Sequence, residues 1–173
     1  MKRSLLPWLS CLSLLLLLPA CGSNTTAADG NDAQPGTFTA TVTGHVSATL
    51  SGVAAATGGA STGGWGVVLP PGGPMSITLV TPGKDRPPAG TYPIVEGVQA
   101  IGAEDTLFFA SFSAAVGTSS YTSTGGTLTI QSSSATRVVG SFTFEAMRET
   151  VGNPEIVSVQ GTFNATNTTP GGM

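Results

Sequence analysis

From residue 124 to residue 167, apolar side chains return at every second position in three successive runs: TGGTLTIQ, RVVGSFTFEAM and IVSVQGTFNAT. In the first, Leu128 and Ile130 oppose Thr127, Thr129 and Gln131. In the second, Val138, Gly140, Phe142, Phe144 and Ala146 oppose Val139, Ser141, Thr143 and Glu145. In the third, Val157, Val159, Gly161, Phe163 and Ala165 oppose Ile156, Ser158, Gln160, Thr162 and Asn164. Side chains alternate faces along a strand, so each run has one mainly apolar and one mainly polar face. The breaks, Ser132 to Thr136 and Val151-Gly152-Asn153-Pro154, are turn chemistry. The expectation is a terminal antiparallel meander with one wetted side, onto which the remaining chain closes a sheet.

Upstream, the pattern continues. Phe38, Ala40, Val42, Gly44, Val46, Ala48 and Leu50 alternate with Thr, His and Ser. This is long for one strand, and Gly44 marks a bulge or bend. Ser51 to Gly64 is Gly, Ala, Ser and Thr, read as a strand end followed by a loop. Trp65, Val67 and Leu69, then Met75, Ile77 and Leu79, flank Pro70-Pro71-Gly72-Gly73-Pro74 as a hairpin. TPGKDRPPA (81–89) reads as an exposed loop, and Pro93 limits its short strand to an edge or bend. LFFASFSAA (107–115) is apolar on both parities, as in a strand covered on both faces or at a sheet crossing. The fold class expected is all-β: an antiparallel sandwich or flattened barrel of about eight to nine strands.

Composition decides what holds such a domain together. The only cysteines are Cys11 and Cys21, so nothing from Gly22 onward can form a disulfide or thiolate metal site. The core must fall to Phe38, Phe108, Phe109, Phe112, Phe142, Phe144 and Phe163, all in strand-like runs. Beyond residue 21, four basic residues stand against nine acids, a net −5 with His neutral. No basic patch exists to neutralise phosphates, which argues against nucleic-acid binding.

The N-terminus is of another kind. Met1-Lys2-Arg3 is basic, and Leu5 to Pro19 is leucine-rich, the length of a signal peptide and short for a span of ~20 residues. It ends Leu18-Pro19-Ala20-Cys21, which resembles the lipobox of bacterial lipoproteins. The resemblance implies cleavage before Cys21, diacylglycerol on its thiol and acylation of the new amine. The other readings are an ordinary secretory signal or an uncleaved anchor. Gly22 at the next position resembles the pattern directed to the outer membrane in Gram-negative cells. The divisions expected are a signal peptide (1–20), a lipidated cysteine and flexible linker (21–35), a β-domain (36–167) and a disordered tail (168–173).

Over roughly 36–167 the chain also looks like a family of small bacterial lipoproteins of unknown function. The resemblance rests on Gly90-Thr91-Tyr92, Gly126-Thr127-Leu128-Thr129-Ile130, Gly140-Ser141-Phe142-Thr143-Phe144-Glu145-Ala146 and Gly161-Thr162-Phe163. It implies a lipid-anchored all-β domain and no catalytic residue.

The search for chemistry yields little. Gly59-Ala60-Ser61-Thr62-Gly63 matches G-x-S-x-G, but a nucleophile elbow needs a strand-to-helix turn and a later histidine. The single histidine, His45, precedes it and falls on the polar parity of its strand. Glu104-Asp105 and Asp85-Arg86 read as turn and loop charges, and a calcium site using Asp29, Asp32 or Glu104 lacks EF-type spacing. Trp65, Tyr92 and Tyr121 could form a sugar platform, though core packing is the commoner use. Asn24, Asn164 and Asn167 stand in N-x-S/T sequons, which mean little in a bacterial chain. The expectation is a lipid-anchored envelope protein, not an enzyme, without cofactor or metal. It would be a binding module for a protein or glycan, or else a structural coat.

Overall fold

The computed structural model describes residues 34–59, 64–83, 85–97, 106–114 and 120–168. Ten strands form one sheet: β1 (Thr37–Gly44), β2 (Ala48–Val53), β3 (Ala55–Gly59), β4 (Gly64–Leu69), β5 (Ser76–Thr81), β6 (Gly90–Val95), β7 (Phe108–Ser113), β8 (Ser120–Ser133), β9 (Arg137–Arg148) and β10 (Glu155–Asn167). The fold is all-β, as the alternation demands. β8, β9 and β10 are the terminal meander, paired antiparallel in sequence order.

The pairings run full circle, through β10, β3, β4, β5, β7, β8 and β9 back to β10, the arrangement of a sandwich or flattened barrel. All contacts are antiparallel except two short ones, β10 with β3 and β6 with β7. The first closes the ring. β1 lies beside β10 from Gly44 back to Thr37, and where β1 ends β3 takes its place. Ala54 carries the chain from β2 into β3, giving its N–H to Gly36 O (2.8 Å) and accepting from Thr166 N (3.1 Å).

Two features raise the strand number above the eight or nine expected. The run 36–50 is a hairpin, not one bent strand, and Gly44 (φ +109°) ends β1 in a left-handed conformation that favours glycine. The small-residue stretch after Ser51 carries a further strand, β3. At Gly58 the cause is Trp65: a Cβ there would come within 2.5 Å of Trp65 Cδ1. β7 is less covered than its sequence suggests, with Phe108, Ala110 and Phe112 buried but Phe109, Ser111 and Ser113 half-buried. β6 meets β7 only at Ile94 and Val95, immediately after Pro93, whose nitrogen has no proton for a ladder.

The core is one cluster. Six of the seven phenylalanines enter it, together with Trp65, Tyr121 and the aliphatic residues of matching parity. The recurrent G-x-F motif has a packing cause. Antiparallel register sets Gly161 opposite Phe142 and Gly140 opposite Phe163, so each ring lies over its partner's glycine. The two rings stack at 6.3 Å between centroids. Gly126 stands opposite Phe144 in the same way. All three glycines lie inside their strands, where the facing strand leaves no room for a side chain. An aromatic ring laid across a cross-strand glycine is a known device for holding register.

β8 changes face partway. A register shift at Thr124, between Ser123 and Gly125, carries burial from the odd positions Tyr121 and Ser123 to the even positions Leu128 and Ile130. Ser123, fully buried, uses the irregularity: its hydroxyl donates to Val95 O (2.6 Å) and accepts from Ala110 N (3.0 Å). It ties β6 to β7 where their own ladder stops.

Candidate functional site

The strand directions sort the charges. β1, β6 and β9 run away from the end where the described chain begins, and β8 and β10 return to it. Gly36 and Thr37 lie beside Asn164, and Asn167 beside Thr136, so both chain ends leave at one end of the ring. This is the proximal end. Arg137 stands there, held by a turn in which Ser134 Oγ donates to Arg137 O (3.0 Å) and accepts from Arg137 N (3.1 Å). Arg86 joins it by donating from Nε to Ser133 Oγ (3.1 Å). The other end of β9 lies eleven residues away, roughly 36 Å at the rise of an extended strand.

At that distal end three side chains converge on one carboxylate, that of Glu155. Arg148 and Glu155 face each other across the β9–β10 hairpin and form an ion pair. Tyr121 donates its hydroxyl to Glu155 Oε2 (3.0 Å), and His45 Nε2 lies 3.3 Å from Oε1. The Arg148 guanidinium sits 5.2 Å from the centroid of the Tyr121 ring, within cation–π reach. His45 is itself placed by its backbone, which donates to Ile156 O (2.9 Å). Desolvation pushes the Glu155 carboxyl upward, but hydrogen bonds from Tyr121 and Arg148, with the charges of Arg148 and His45, outweigh it and hold the group below its ordinary value. Burial, then the hydrogen bond to Glu155, raises the Tyr121 phenol.

Around this cluster the surface is mixed. Among the described residues, two of the three exposed large apolar side chains, Val151 and Ile156, are here. A groove of about 390 Å³ runs past Glu96, Ser120, Thr122, Arg148 and Glu149, and another of about 240 Å³ past Met147, Thr150 and Pro154. The sides of the ring are uniform by contrast. Ser51, Thr39, Thr162, Ser141, Thr129 and Thr91 stand in one cross-strand row over six strands. Thr49, Thr41, Gln160, Thr143 and Thr127 form the next, with a shallow groove of about 360 Å³ between the rows.

Of the residues singled out in the sequence, Cys21, Asn24, Asp29, Asp32, Ala60 to Gly63, Glu104 and Asp105 lie outside the described residues. His45 is half-exposed on its turn as its parity suggests, but it is paired, which the parity does not show. Trp65, Tyr92 and Tyr121 do not form an exposed platform. Trp65 is buried edge-on to Phe108 at 6.2 Å, Tyr92 packs on the same ring at 5.5 Å, and Tyr121 is buried beside Phe112. Asn164 is buried, and the Asn167 amide donates to Ala135 O (3.0 Å). Among the described residues, no group of three or more His, Cys, Asp or Glu is placed to hold a metal, and no helix is long and apolar enough to cross a membrane.

The Tyr121–Arg148–Glu155–His45 cluster is not singled out by the sequence reading. Only its Arg148–Glu155 pair is legible, as opposite charges flanking one turn. No protein-family model, no curated protein and no solved structure matches the chain.

Proposed function

We propose that the chain is a lipid-anchored lipoprotein of the cell envelope, held by acyl groups on Cys21, and that its β-domain is a binding module rather than an enzyme. In a Gram-negative cell the Gly22 that follows assigns it to the outer membrane. One observation supports the binding role most: the ionic cluster, the exposed Val151 and Ile156 and two grooves gather at the end opposite to the one where the chain emerges. The segment 22–35, read from its composition as a tether, would span on the order of 20 Å and keep the proximal end within reach of the bilayer. Two or three acyl chains give an attachment that one chain alone does not.

Labelled palmitate and fractionation test the anchor. Wild type incorporates label and sediments with membranes, and Cys21→Ala takes up no label. A mutant that still takes up label removes Cys21 from the scheme.

The second reading is a structural coat without a specific ligand, favoured by the threonine rows over the sides of the ring. Photo-crosslinking residues at Val151, Ile156 and Thr143 separate the two. A binding module gives discrete adducts from Val151 and Ile156 alone. A coat gives adducts between copies from Thr143.

A further inference from the structure

Ring closure leaves one strand with a single neighbour. Among the described residues, β2 pairs with β1 and with nothing on its other side, because the ring closes through β3. The ladders show which backbone groups this leaves open. His45 N donates to Ile156 O (2.9 Å), so the odd residues of β1 bond toward β10 and its even residues toward β2. Leu50 and Gly52, opposite Ala40 and Phe38, therefore point their N–H and C=O at β1. Thr49 and Ser51 point theirs outward, as does Val53, whose N donates to Pro70 O (3.2 Å). The turn after β4 covers the edge at Val53. The N–H and C=O of Thr49 and of Ser51, roughly 7 Å apart along the strand, are without a partner among the described residues. Such an edge is normally guarded by a charge, a proline or a bulge. β2 has none of these: its sequence is ATLSGV, and its register with β1 is unbroken.

We propose that β2 is a docking edge for an extended, uncharged segment of another protein, which adds to the sheet as an antiparallel strand. This surface lies apart from the distal site and does not depend on it. A row of alternating N–H and C=O is complemented by another extended backbone, whose alternate residues exchange both bonds with Thr49 and Ser51. β2 offers no charge to pair with, so a charged side chain laid against it would lose water without compensation. The incoming strand would lie beside Thr49, Ser51 and the exposed Val53 on the outer face, and beside buried Leu50 on the inner one. Hydroxyl or β-branched residues on one parity and apolar residues on the other fit those neighbours. A second copy of the chain fits less well. β2 laid antiparallel on β2 would turn the two proximal ends opposite ways, which sets the anchors proposed at Cys21 apart instead of in one bilayer.

The test uses the mature protein purified from membranes in detergent micelles, with a capped peptide of the β1 sequence, TFTATVTG, as the probe. Amide exchange is followed residue by residue by NMR. In the free protein the Thr49 and Ser51 amides exchange readily, whereas those of Leu50 and Gly52 are protected by the ladder to β1. Added peptide protects Thr49 and Ser51 and leaves Leu50 and Gly52 as they were. Ser51→Pro removes an outward N–H that the β1 ladder does not use, so it keeps the wild-type urea midpoint and loses the peptide's effect at Thr49. If the proline variant does not fold, Ser51→Lys, which sets a charge on the edge, gives the same loss. Protection of Thr49 and Ser51 before peptide is added, or exchange there that saturating peptide leaves unmoved, overturns the docking. Faster exchange at Leu50 and Gly52 on adding peptide shows that β1 has been displaced, which overturns it too. A dimer in light scattering that Ser51→Pro abolishes gives the edge to a second copy and overturns the assignment to another protein.

Discussion

Gly161→Ala is the substitution whose effect the structure predicts most sharply. A Cβ built there lies 2.4 Å from Thr39 O, 2.8 Å from Ala40 Cβ and 2.8 Å from Phe142 Cζ. The ring can tilt, but the carbonyl belongs to β1 and cannot retreat without opening the ladder to β10. This places the cost at the upper end of the overpacking range, about 3 kcal/mol. Replacing glycine also restricts the unfolded chain, which returns about 0.4–1 kcal/mol. The net expectation is a loss of about 2 kcal/mol, or a fall in Tm of roughly 8 °C at about 4 °C per kcal/mol. Gly140→Ala should behave alike, since its Cβ would lie 2.4 Å from Thr129 O and 2.8 Å from Phe163 Cζ. Gly73→Ala is the control, because nothing lies within 4 Å of its Cβ and its φ is not in the left-handed region. It should be neutral or slightly stabilising. Urea unfolding followed by the fluorescence of buried Trp65, the one tryptophan after Trp8, measures all three. If Gly161→Ala and Gly140→Ala unfold at the wild-type midpoint, the ring-over-glycine account of the G-x-F motif is wrong.

Other expectations follow from the same geometry. Phe163→Ala removes a fully buried ring and should cost about 3–5 kcal/mol in the same assay. Ser123→Ala strands Val95 O and Ala110 N and should cost about 2 kcal/mol, whereas Ser51→Ala, on the exposed face, should leave the midpoint unmoved. Glu155 has a lowered carboxyl in the fold, so its ionised form stabilises the protein above the ordinary carboxylate pKa, and that stability is lost as pH falls through the lowered value. The gap in urea midpoint between wild type and Glu155→Gln should therefore narrow on acidification from neutral pH. A gap independent of pH contradicts the pairing. The two tyrosines, Tyr92 and Tyr121, are both raised by burial, so phenolate absorbance in the native protein should develop at higher pH than in the unfolded chain.

The period-two pattern of the last strands was enough to read the meander, its buried parity and the residues of the core, because a one-residue slip would turn Phe142, Phe144 and Phe163 into water. What the pattern hid has physical causes. The β1–β2 turn keeps even positions on the buried side, with Thr41 opposite Thr49 and Ala40 opposite Leu50. Two strands therefore read as one. β3 looks like a loop because its residues are small, and at Gly58 Trp65 leaves no room for a side chain. The bulge in β8 moves burial from odd to even positions, which breaks simple alternation at the point where Ser123 is needed. The distal cluster joins His45, Tyr121 and Glu155 from three distant parts of the chain, and no local spacing encodes that.

Mass spectrometry of the N-terminal peptide of the mature protein tests the central claim most directly. The account predicts a chain that starts at Cys21, carrying diacylglycerol on the thiol and an acyl group on the amine. A mature protein that starts at any other residue, or whose Cys21 bears no lipid, contradicts it.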